Sequence, residues 1–156
     1  MDGSYRVLLR SAGVFLMLED AVRQGTVSCM ASISRFEDLI VWQKARTLAH
    51  EVHSVCTAGR AAHDYALTDQ LRRSAISIVS NVAEGFERKR ASSFAQFLGY
   101  ARGSCAELRA QLYLASDIGW LSPTEFARIA QLATEVGQLL GALYRSQIPA
   151  RSAKRC

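Results

Sequence analysis

The sequence predicts an all-α protein, an antiparallel up-down-up-down four-helix bundle, and three observations support this prediction. Apolar residues recur at alternating spacings of three and four in four successive stretches, which is the pattern of one helix face. No stretch alternates with period two for long enough to form a strand. The only prolines are Pro123 and Pro149, and the connections between the stretches are short, which favours antiparallel neighbours.

The first predicted helix starts after Ser34, which forms a capping-box pattern with Glu37, and it ends at Gly59. Its apolar face consists of Val41, Ala45, Leu48, Val52 and Val55. Beside that face a second apolar flank repeats every seven residues, at Trp42, Ala49 and Cys56. This flank indicates either contacts between subunits or a wider intramolecular core, and the sequence leaves both open.

The second predicted helix is apolar over a wide arc and is expected to be central in the bundle. Asp64 is placed to cap its start and Gly85 to end it. One stripe comprises Leu67, Leu71, Ala75, Ile78 and Val82. A neighbouring stripe comprises Ile76, Val79, Ala83 and Phe86.

The third helix has the most regular stripe, with Ser93 and Gln96 as a capping box and an end near Gly119. Its stripe is Phe94, Leu98, Ala101, Cys105, Leu108, Leu112 and Ala115. The fourth helix stops before Pro149 and starts with an N-cap, an N1 proline and a capping partner, at Ser122, Pro123 and Glu125. Its stripe is Phe126, Ile129, Ala133, Val136, Leu140 and Leu143.

We expect the bundle to span residues 34–147, between an N-terminal extension at 1–33 and a basic tail at 148–156. The segment 7–18, with its apolar run at 13–18, is a poor signal-peptide core, because Arg10 interrupts its apolar stretch, Glu19 and Asp20 follow, and no cleavage site comes next. No apolar stretch reaches the roughly 20 residues of a membrane span, so no membrane partner is expected. Met30 is a second plausible start, and residues 1–29 are interpreted as an upstream extension or, alternatively, as a short amphipathic helix on the bundle.

The formal charge of +5 is unevenly distributed. Residues 1–35 and 36–147 each carry a net +1, and residues 148–156 carry +3. Within the central part, the stretch from Arg72 to Arg109 has a local excess of +4. A concentration of this kind favours a partner with negative charges, such as nucleic acid.

The residues provide no constellation that points to catalysis, so we expect a protein that is not an enzyme and needs no cofactor. There is no nucleophile beside a base, no phosphate-binding glycine loop and no paired Glu-x-x-His motif. His50, His53 and Cys56 follow one another around the first helix, and His63 comes next, a spacing compatible with zinc. We interpret them as ordinary helix residues and predict no metal site.

Cysteine usage favours a reducing cytoplasm. The four cysteines lie far apart without a Cys-x-x-Cys pair, which fits neither a zinc ribbon nor a disulfide scaffold: Cys29, Cys56, Cys105 and Cys156. Cys56 and Cys105 lie on apolar stretches of helix and are expected in the core, where free cysteine behaves as a small hydrophobe.

Polar residues on the second and third helices are expected to pair with each other across the helix interface. The proposed structural network comprises Ser77, Asn81, Glu84, Ser104 and Glu107. Asn81 and Glu84 should be buried or half-buried and bonded to the third helix, because buried polar groups need partners. If Glu84 and Glu107 faced each other, they could also act as a general acid and a general base, but we interpret them as a structural pair. On the third helix, Gly99 and above all Gly103 are expected to allow close helix packing.

Three segments resemble a known family as strings in the same order: FEDLIVWQKA at 36–45, QLRRSAISIVSNVAEG at 70–85 and ARGSCAEL at 101–108. They resemble the 23S rRNA intervening-sequence proteins, which are four-helix bundles, over about residues 36–144. The resemblance implies a bacterial homo-oligomer, commonly ring-shaped and here expected to be a pentamer, without catalytic activity. Related accessory variability determinants of retroelements bind nucleic acid and work with a reverse transcriptase. Val79 stands where many members have proline, so a helix kink usual in the family is expected to be absent.

Together these patterns predict a non-catalytic oligomeric bundle that binds RNA or DNA through phosphates, with a reverse transcriptase as a possible protein partner. The loop after the second helix should project its charges into solvent. The candidate nucleic-acid-binding residues are Arg72, Arg73, Arg88, Lys89, Arg90, Arg102 and Arg109. The alternative is a protein-protein adaptor bundle that does not bind nucleic acid itself.

A variant that begins at Met30 is predicted to fold with the helical content and melting temperature of the full chain, because residues 1–29 are interpreted as lying outside the domain. Circular dichroism and thermal melts of both chains test this. A large loss of stability on truncation would place the extension within the domain.

Overall fold

Four α-helices form where the sequence places its apolar stripes. The computed structural model describes residues 33–57 and 65–148, and there it contains four α-helices, one short 3-10 helix and no strand. The 3-10 helix spans Phe36–Asp38, α1 spans Ile40–Thr57, α2 spans Tyr65–Glu87, α3 spans Ala91–Asp117 and α4 spans Pro123–Gln147. Among the described helices none is long and apolar enough to cross a membrane.

The helices pack as a bundle around one apolar core. α2 packs on α3, α3 on α4, and α1 on both α2 and α4, whereas in the described ranges the backbones of α1 and α3 and of α2 and α4 do not come into contact. Each helix therefore has two neighbours and one helix diagonally opposite. The largest fully buried side chains come from all four helices and include Leu48, Ile78, Phe86, Phe94, Leu108 and Ile129.

The predicted stripes of the first, third and fourth helices are confirmed as core, except that Phe126 is only half-buried. The prediction for the second helix is confirmed only in part, because Leu71, Ala75, Ile78, Val82 and Phe86 are buried but Leu67 is half-buried. In its neighbouring stripe the side chain of Ile76 is 59% exposed, and Val79 and Ala83 are half-buried. The second helix is therefore not central in the bundle. The reason is geometric, because a helix with two neighbours in a four-helix bundle keeps one face in solvent.

The predicted start and end of α4 are both confirmed. Ser122 Oγ accepts a hydrogen bond from the Glu125 backbone, and the Glu125 carboxylate accepts one from the Ser122 backbone, so this capping box is confirmed. α4 ends at Gln147, before Pro149, as predicted. Asp64 and Gly59 lie outside the described residues.

Two predicted capping boxes are wrong. Near Ser34 the chain makes a 3-10 turn with Arg35 at its N-cap, and the Glu37 carboxylate pairs with the Arg35 guanidinium at 3.0 Å instead. α3 starts at Ala91, so Ser93 lies inside the helix. The ring of Phe94 packs edge-on against that of Phe86 on α2, with centroids 5.9 Å apart, and this contact brings the first turn of α3 against α2.

Gly85 does not end the second helix, contrary to the prediction. It is buried within α2, where a Cβ atom would lie 2.6 Å from Cβ of Phe97 on α3. Glycine is needed here because no side chain fits between the two helices. The turn after α2 is made instead by Lys89, whose φ is +53°. The predicted stop after α3 is confirmed at Gly119, whose φ is +76°.

Gly103 does not pack closely, which is a second correction. A Cβ built at this position meets no atom within 4 Å, so Gly103 faces open space. At Gly99 the nearest atom belongs to the ring of Tyr144, at 3.9 Å. The sequence identified glycines on helix faces, but only the packing shows that the close approach occurs at Gly85.

A polar network joins α2 to α3, in part with the predicted residues. The Ser77 and Ser104 hydroxyls are hydrogen-bonded at 2.8 Å across the interface. Half-buried Asn81 donates its amide to the Ser77 carbonyl at 2.8 Å, within its own helix. The buried hydroxyl of Ser74, which the sequence analysis missed, donates to Gln111 Oε1 at 3.1 Å. Ser74 interrupts the apolar residues of the helix, and that is the signal that identifies it.

Glu84 and Glu107 do not face each other across the helix pair. Glu84 is exposed and pairs with Arg88, four residues along α2. Glu107 is exposed and accepts a hydrogen bond from Gln111 Nε2 at 3.0 Å, on its own helix. Their positions on the outer edges of α2 and α3 leave each carboxylate in water, where a local partner suffices. α2 also runs through Val79 without interruption, as expected from the absence of proline.

Gly85→Ala is predicted to destabilise the protein by about 1 to 3 kcal/mol, because the added methyl group collides with Phe97 in a packed interface. Gly103→Ala is the matched control, since its methyl group enters open space, and it should stabilise α3 by up to about 1 kcal/mol. Chemical denaturation measures both. Equal effects of the two substitutions would contradict the close approach at Gly85.

Ser77→Ala is predicted to destabilise the protein by about 1 kcal/mol, because the Ser104 hydroxyl loses its partner and the Asn81 amide loses its 3.1 Å bond to the Ser77 hydroxyl in a half-buried interface. Glu84→Ala should change the free energy of unfolding by less than about 0.5 kcal/mol, since an exposed pair four residues apart contributes little. The two variants are compared by urea unfolding. A larger effect of Glu84→Ala than of Ser77→Ala would show that Glu84 belongs to the structural network, as the sequence predicted.

Candidate nucleic-acid interface

The seven basic residues predicted to form one surface occupy three separate places on the bundle. Arg72 and Arg73 lie on α2, and the loop residues Arg88 to Arg90 join α2 to α3. Arg102 and Arg109 lie on the edge of α3 that faces α4, in a groove whose other wall is α4. The local excess of charge in the sequence is therefore divided by the fold.

The two arginines of α2 are already engaged. Arg72 is half-buried, and its Nη2 donates to the carbonyl of Cys56 at 3.2 Å, at the end of α1. A cation in this position satisfies a helix-terminal carbonyl and interacts favourably with the helix dipole. Arg73 is exposed and pairs with Asp69 at 3.7 Å. Arg72 thus belongs to the contact between α1 and α2, which corrects the expectation that it faces outward.

The loop between α2 and α3 is exposed, as expected, but two of its charges have acidic partners. Arg88 pairs with Glu84 and lies over the ring of Phe97, 4.6 Å from its centroid. Lys89 pairs with Glu87 at 3.5 Å. Arg90 is exposed and has no ion-pair partner among the described residues. The side chain of Arg90 is therefore the one loop cation, in the described part of the chain, whose charge is uncompensated by a nearby carboxylate.

Arg102 and Arg109 are exposed, and within the described ranges neither has a carboxylate within ion-pair distance. Both line a groove of about 570 Å³ between α3 and α4. The residues that line it are Arg102, Gly103, Cys105, Ala106, Arg109, Thr134, Gly137 and Gln138. None of them is acidic. The Arg102 guanidinium lies over the Tyr144 ring, 5.0 Å from its centroid, which holds that side chain along the groove.

The half of this groove that α4 contributes was missed by the sequence analysis. Thr134, Gly137 and Gln138 carry no charge and follow no binding motif. Gly137, inside a long helix, was the available signal, because an interior glycine often marks a close approach or an open surface. Which helix it would face cannot be read from periodicity alone.

The histidines and cysteine of the first helix do not converge. His50 and His53 are exposed, whereas Cys56 is buried in the core. Burial raises the pKa of the Cys56 thiol, and it raises the pKa of the Cys105 thiol in the same way. Both cysteines are core residues, as predicted. In the described ranges no group of three metal-ligating side chains is close enough to hold an ion, and His63 lies outside those ranges.

The fold is similar to that of a solved protein. A crystal structure of a protein of unknown function from the S23 ribosomal protein family of Bacteroides thetaiotaomicron superposes with a TM-score of 0.60 at 20% sequence identity. The match covers 65% of this chain and 94% of the solved one. At this identity the likeness concerns the fold alone. No curated protein matches the chain.

A family model matches the chain over residues 37–142, which comprise most of the 3-10 turn, the first three α-helices and most of α4. The model describes the 23S rRNA-intervening sequence protein. Its range includes the groove between α3 and α4 and, except for Phe36, the three segments that carried the resemblance in the sequence. More than half of the chain is matched, and the chain therefore belongs to the 23S rRNA-intervening sequence protein family.

Proposed function

We propose that this protein is a non-catalytic bundle that binds RNA or DNA through backbone phosphates. The observation that carries the proposal is that three of the seven predicted binding residues are exposed arginines without an acidic partner in the described ranges: Arg90, Arg102 and Arg109. An arginine that has no carboxylate to give up binds a phosphate without breaking an existing pair, and it releases condensed counterions as it does so. Arg73, Arg88 and Lys89 contribute less, because each already pairs with an acid.

The overall charge and the family support the same partner. The chain has a sequence pI of about 9.3, and its last nine residues add three basic groups and no acidic one. The family's name associates its members with 23S rRNA intervening sequences, which favours RNA. A phosphate-directed interaction predicts little dependence on base sequence.

We propose further that consecutive helices run antiparallel. Contacts between α2 and α3 support this, because residue numbers fall along α2 as they rise along α3: Gly85 with Phe97, Ser77 with Ser104, and Ser74 with Gln111. Contacts between α3 and α4 follow the same rule: Tyr113 with Phe126, and Arg102 with Tyr144.

A ring-shaped homo-oligomer, with a pentamer as the expected form, is proposed as the working assembly. The exposed Ile76 on α2 supports a contact between subunits, since a large apolar side chain in solvent favours burial against a partner. The predicted flank of α1 supports the other alternative, a wider core, because Cys56 lies in the core and Trp42 and Ala49 pack against it. A ring would repeat each basic site once per subunit and strengthen a weak contact through multivalency.

A protein adaptor is the second candidate function, with a reverse transcriptase as one proposed partner. Exposed large apolar side chains favour it, with Tyr100 and Leu114 both more than half exposed on α3. Nucleic-acid binding that requires a protein partner would select this function. We place either activity in the reducing cytoplasm, which suits the free thiols of Cys56 and Cys105.

Replacing Arg88, Lys89 and Arg90 together by glutamine is predicted to weaken binding of RNA and DNA and to flatten its salt dependence. Arg90→Gln alone should account for most of the loss, because Arg88 and Lys89 already have acidic partners. One phosphate contact corresponds to a change of about 0.7 to 0.9 in the slope of log affinity against log salt. Fluorescence anisotropy at several salt concentrations measures the slope, and circular dichroism checks that helicity is unchanged.

One result would contradict the proposal, and a second would exclude the loop as its contact surface. If the parent protein binds neither RNA nor DNA in a salt-dependent way, nucleic-acid binding is wrong and the adaptor function takes its place. If the parent binds but the triple variant binds equally well, the loop is not a contact surface, and the phosphates are bound elsewhere on the protein.

A further inference from the structure

We propose that the groove between α3 and α4 is a site for single-stranded nucleic acid, in which Arg102 and Arg109 each contact a phosphate and Tyr113 stacks on a base. This inference rests on the proposed function and adds the class of strand and the surface that receives it. Four features support it: the charge of the groove, the spacing of its side chains, its open floor, and the exposed Tyr113 that follows the arginines along α3.

The groove is positive because two arginines and no acidic residue line it. On α4, Glu135 is turned toward α1, where it pairs with Lys44 at 3.0 Å. Glu125 is engaged in the cap of α4 with Ser122. Arg102 and Arg109 are thus left as uncompensated charges on the lining. A groove lined by positive charges attracts a polyanion and raises its local concentration.

The side chains follow one line along the edge of α3. Arg102 and Arg109 are separated by seven residues, which is about two helical turns and about 10.5 Å along the axis. Tyr113 follows one turn further, and its ring packs edge-on against Phe126 of α4, with centroids 5.0 Å apart. All three side chains therefore lie on the side of α3 that faces α4. They present two cations and an aromatic ring in sequence to a strand that follows the helix.

The floor of the groove lets a backbone approach. Gly103 has no atom within 4 Å of its missing Cβ, and Ala106 and Gly137 add little bulk. The Gln138 amide has no hydrogen-bond partner among the described residues and supplies a further donor. The Thr134 hydroxyl donates to the Ala130 carbonyl at 2.8 Å, so its proton is already used.

An exposed aromatic residue beside the cations favours a single strand over a duplex. Tyr113 is 57% exposed although part of its ring packs on Phe126. Unpaired bases stack on such rings, and this contact tolerates any base because each has a π-face. The bases of a duplex are stacked on one another and do not reach it. An acidic protein segment would use the arginines but gain little from the ring.

The test uses the full chain and two fluorescein-labelled probes of mixed sequence, a single strand of about 16 nucleotides and its blunt duplex. We expect the single strand to bind more tightly than the duplex. The double variant Arg102→Gln, Arg109→Gln should lower the salt slope for the single strand by about 1.4, which corresponds to two lost contacts. Arg35→Gln is the control, because that exposed arginine lies outside the candidate binding residues and pairs with Glu37, and it should leave both affinity and slope unchanged.

Two variants of Gly103 that differ in charge but not in size distinguish a loss of binding from a loss of folding. Neither Gly103→Glu nor Gly103→Gln meets a neighbouring atom at its Cβ, and the two side chains have the same size. Gly103→Glu should weaken single-strand binding by about tenfold more than Gly103→Gln, because it places a negative charge beside the phosphates. Equal melting temperatures of the two variants exclude unfolding as the cause.

A second pair tests the stacking. Tyr113→Ala should weaken single-strand binding by about fivefold or more, whereas Tyr113→Phe retains the ring and should bind like the parent. Neither variant should change the salt slope, because the ring contacts no phosphate. If Tyr113→Phe loses affinity as well as Tyr113→Ala, the ring is not sufficient for binding and the stacking contact is wrong.

The outcomes distinguish this site from the proposed function. If the parent binds no nucleic acid, both are wrong. If the parent binds and the groove variants bind equally well, or if the duplex binds more tightly, the groove site alone is wrong. If polyglutamate binds in the groove and the labelled single strand does not, the groove receives an acidic protein segment and the inference is overturned.

Discussion

The packing of α3 against both α2 and α4 determines where the candidate functional side chains lie. Seven apolar residues of α3 are buried, and they repeat with the helical period. They can all be buried together in only one rotation of the helix about its own axis. In that rotation Ser104 and Gln111 meet α2, while Arg102 and Arg109 meet α4. Gly85 makes the α2 contact possible by leaving room for Phe97. The polar network and the positive groove are therefore two consequences of one buried face.

The distribution of acidic residues decides which cations are available to a partner. Glu84, Glu87 and Asp69 pair with neighbouring basic residues on α2 and in the loop. Exposed pairs of this kind contribute at most about 1 kcal/mol to stability. Their larger effect is on binding, because a paired cation presents less net charge to a phosphate. Among the seven predicted binding residues, the exposed cations left without a carboxylate in the described ranges are Arg90, Arg102 and Arg109.

Membership of the 23S rRNA-intervening sequence protein family establishes the fold more firmly than the activity. The solved neighbour shares the architecture at 20% identity, and its own function is unknown. A helical bundle supports many functions, which depend on the side chains placed on its surface. The groove between α3 and α4 is such a local feature. Its arginines, glycines and tyrosine, rather than the bundle itself, support the proposal of a single-stranded nucleic-acid partner.

The sequence by itself determined the four helices, nearly all of their buried faces, the cap at Ser122 and the stop at Gly119, because helical periodicity and capping are local properties. It also identified all the cations. Only the tertiary structure decided that Gly85 is a contact rather than a terminus, that Arg72 binds the end of α1, and that Glu84 remains in water. Periodicity states which residues share a face of a helix. Which neighbour that face meets depends on the packing of all four helices, and this is why the groove and its α4 wall emerged only from the fold.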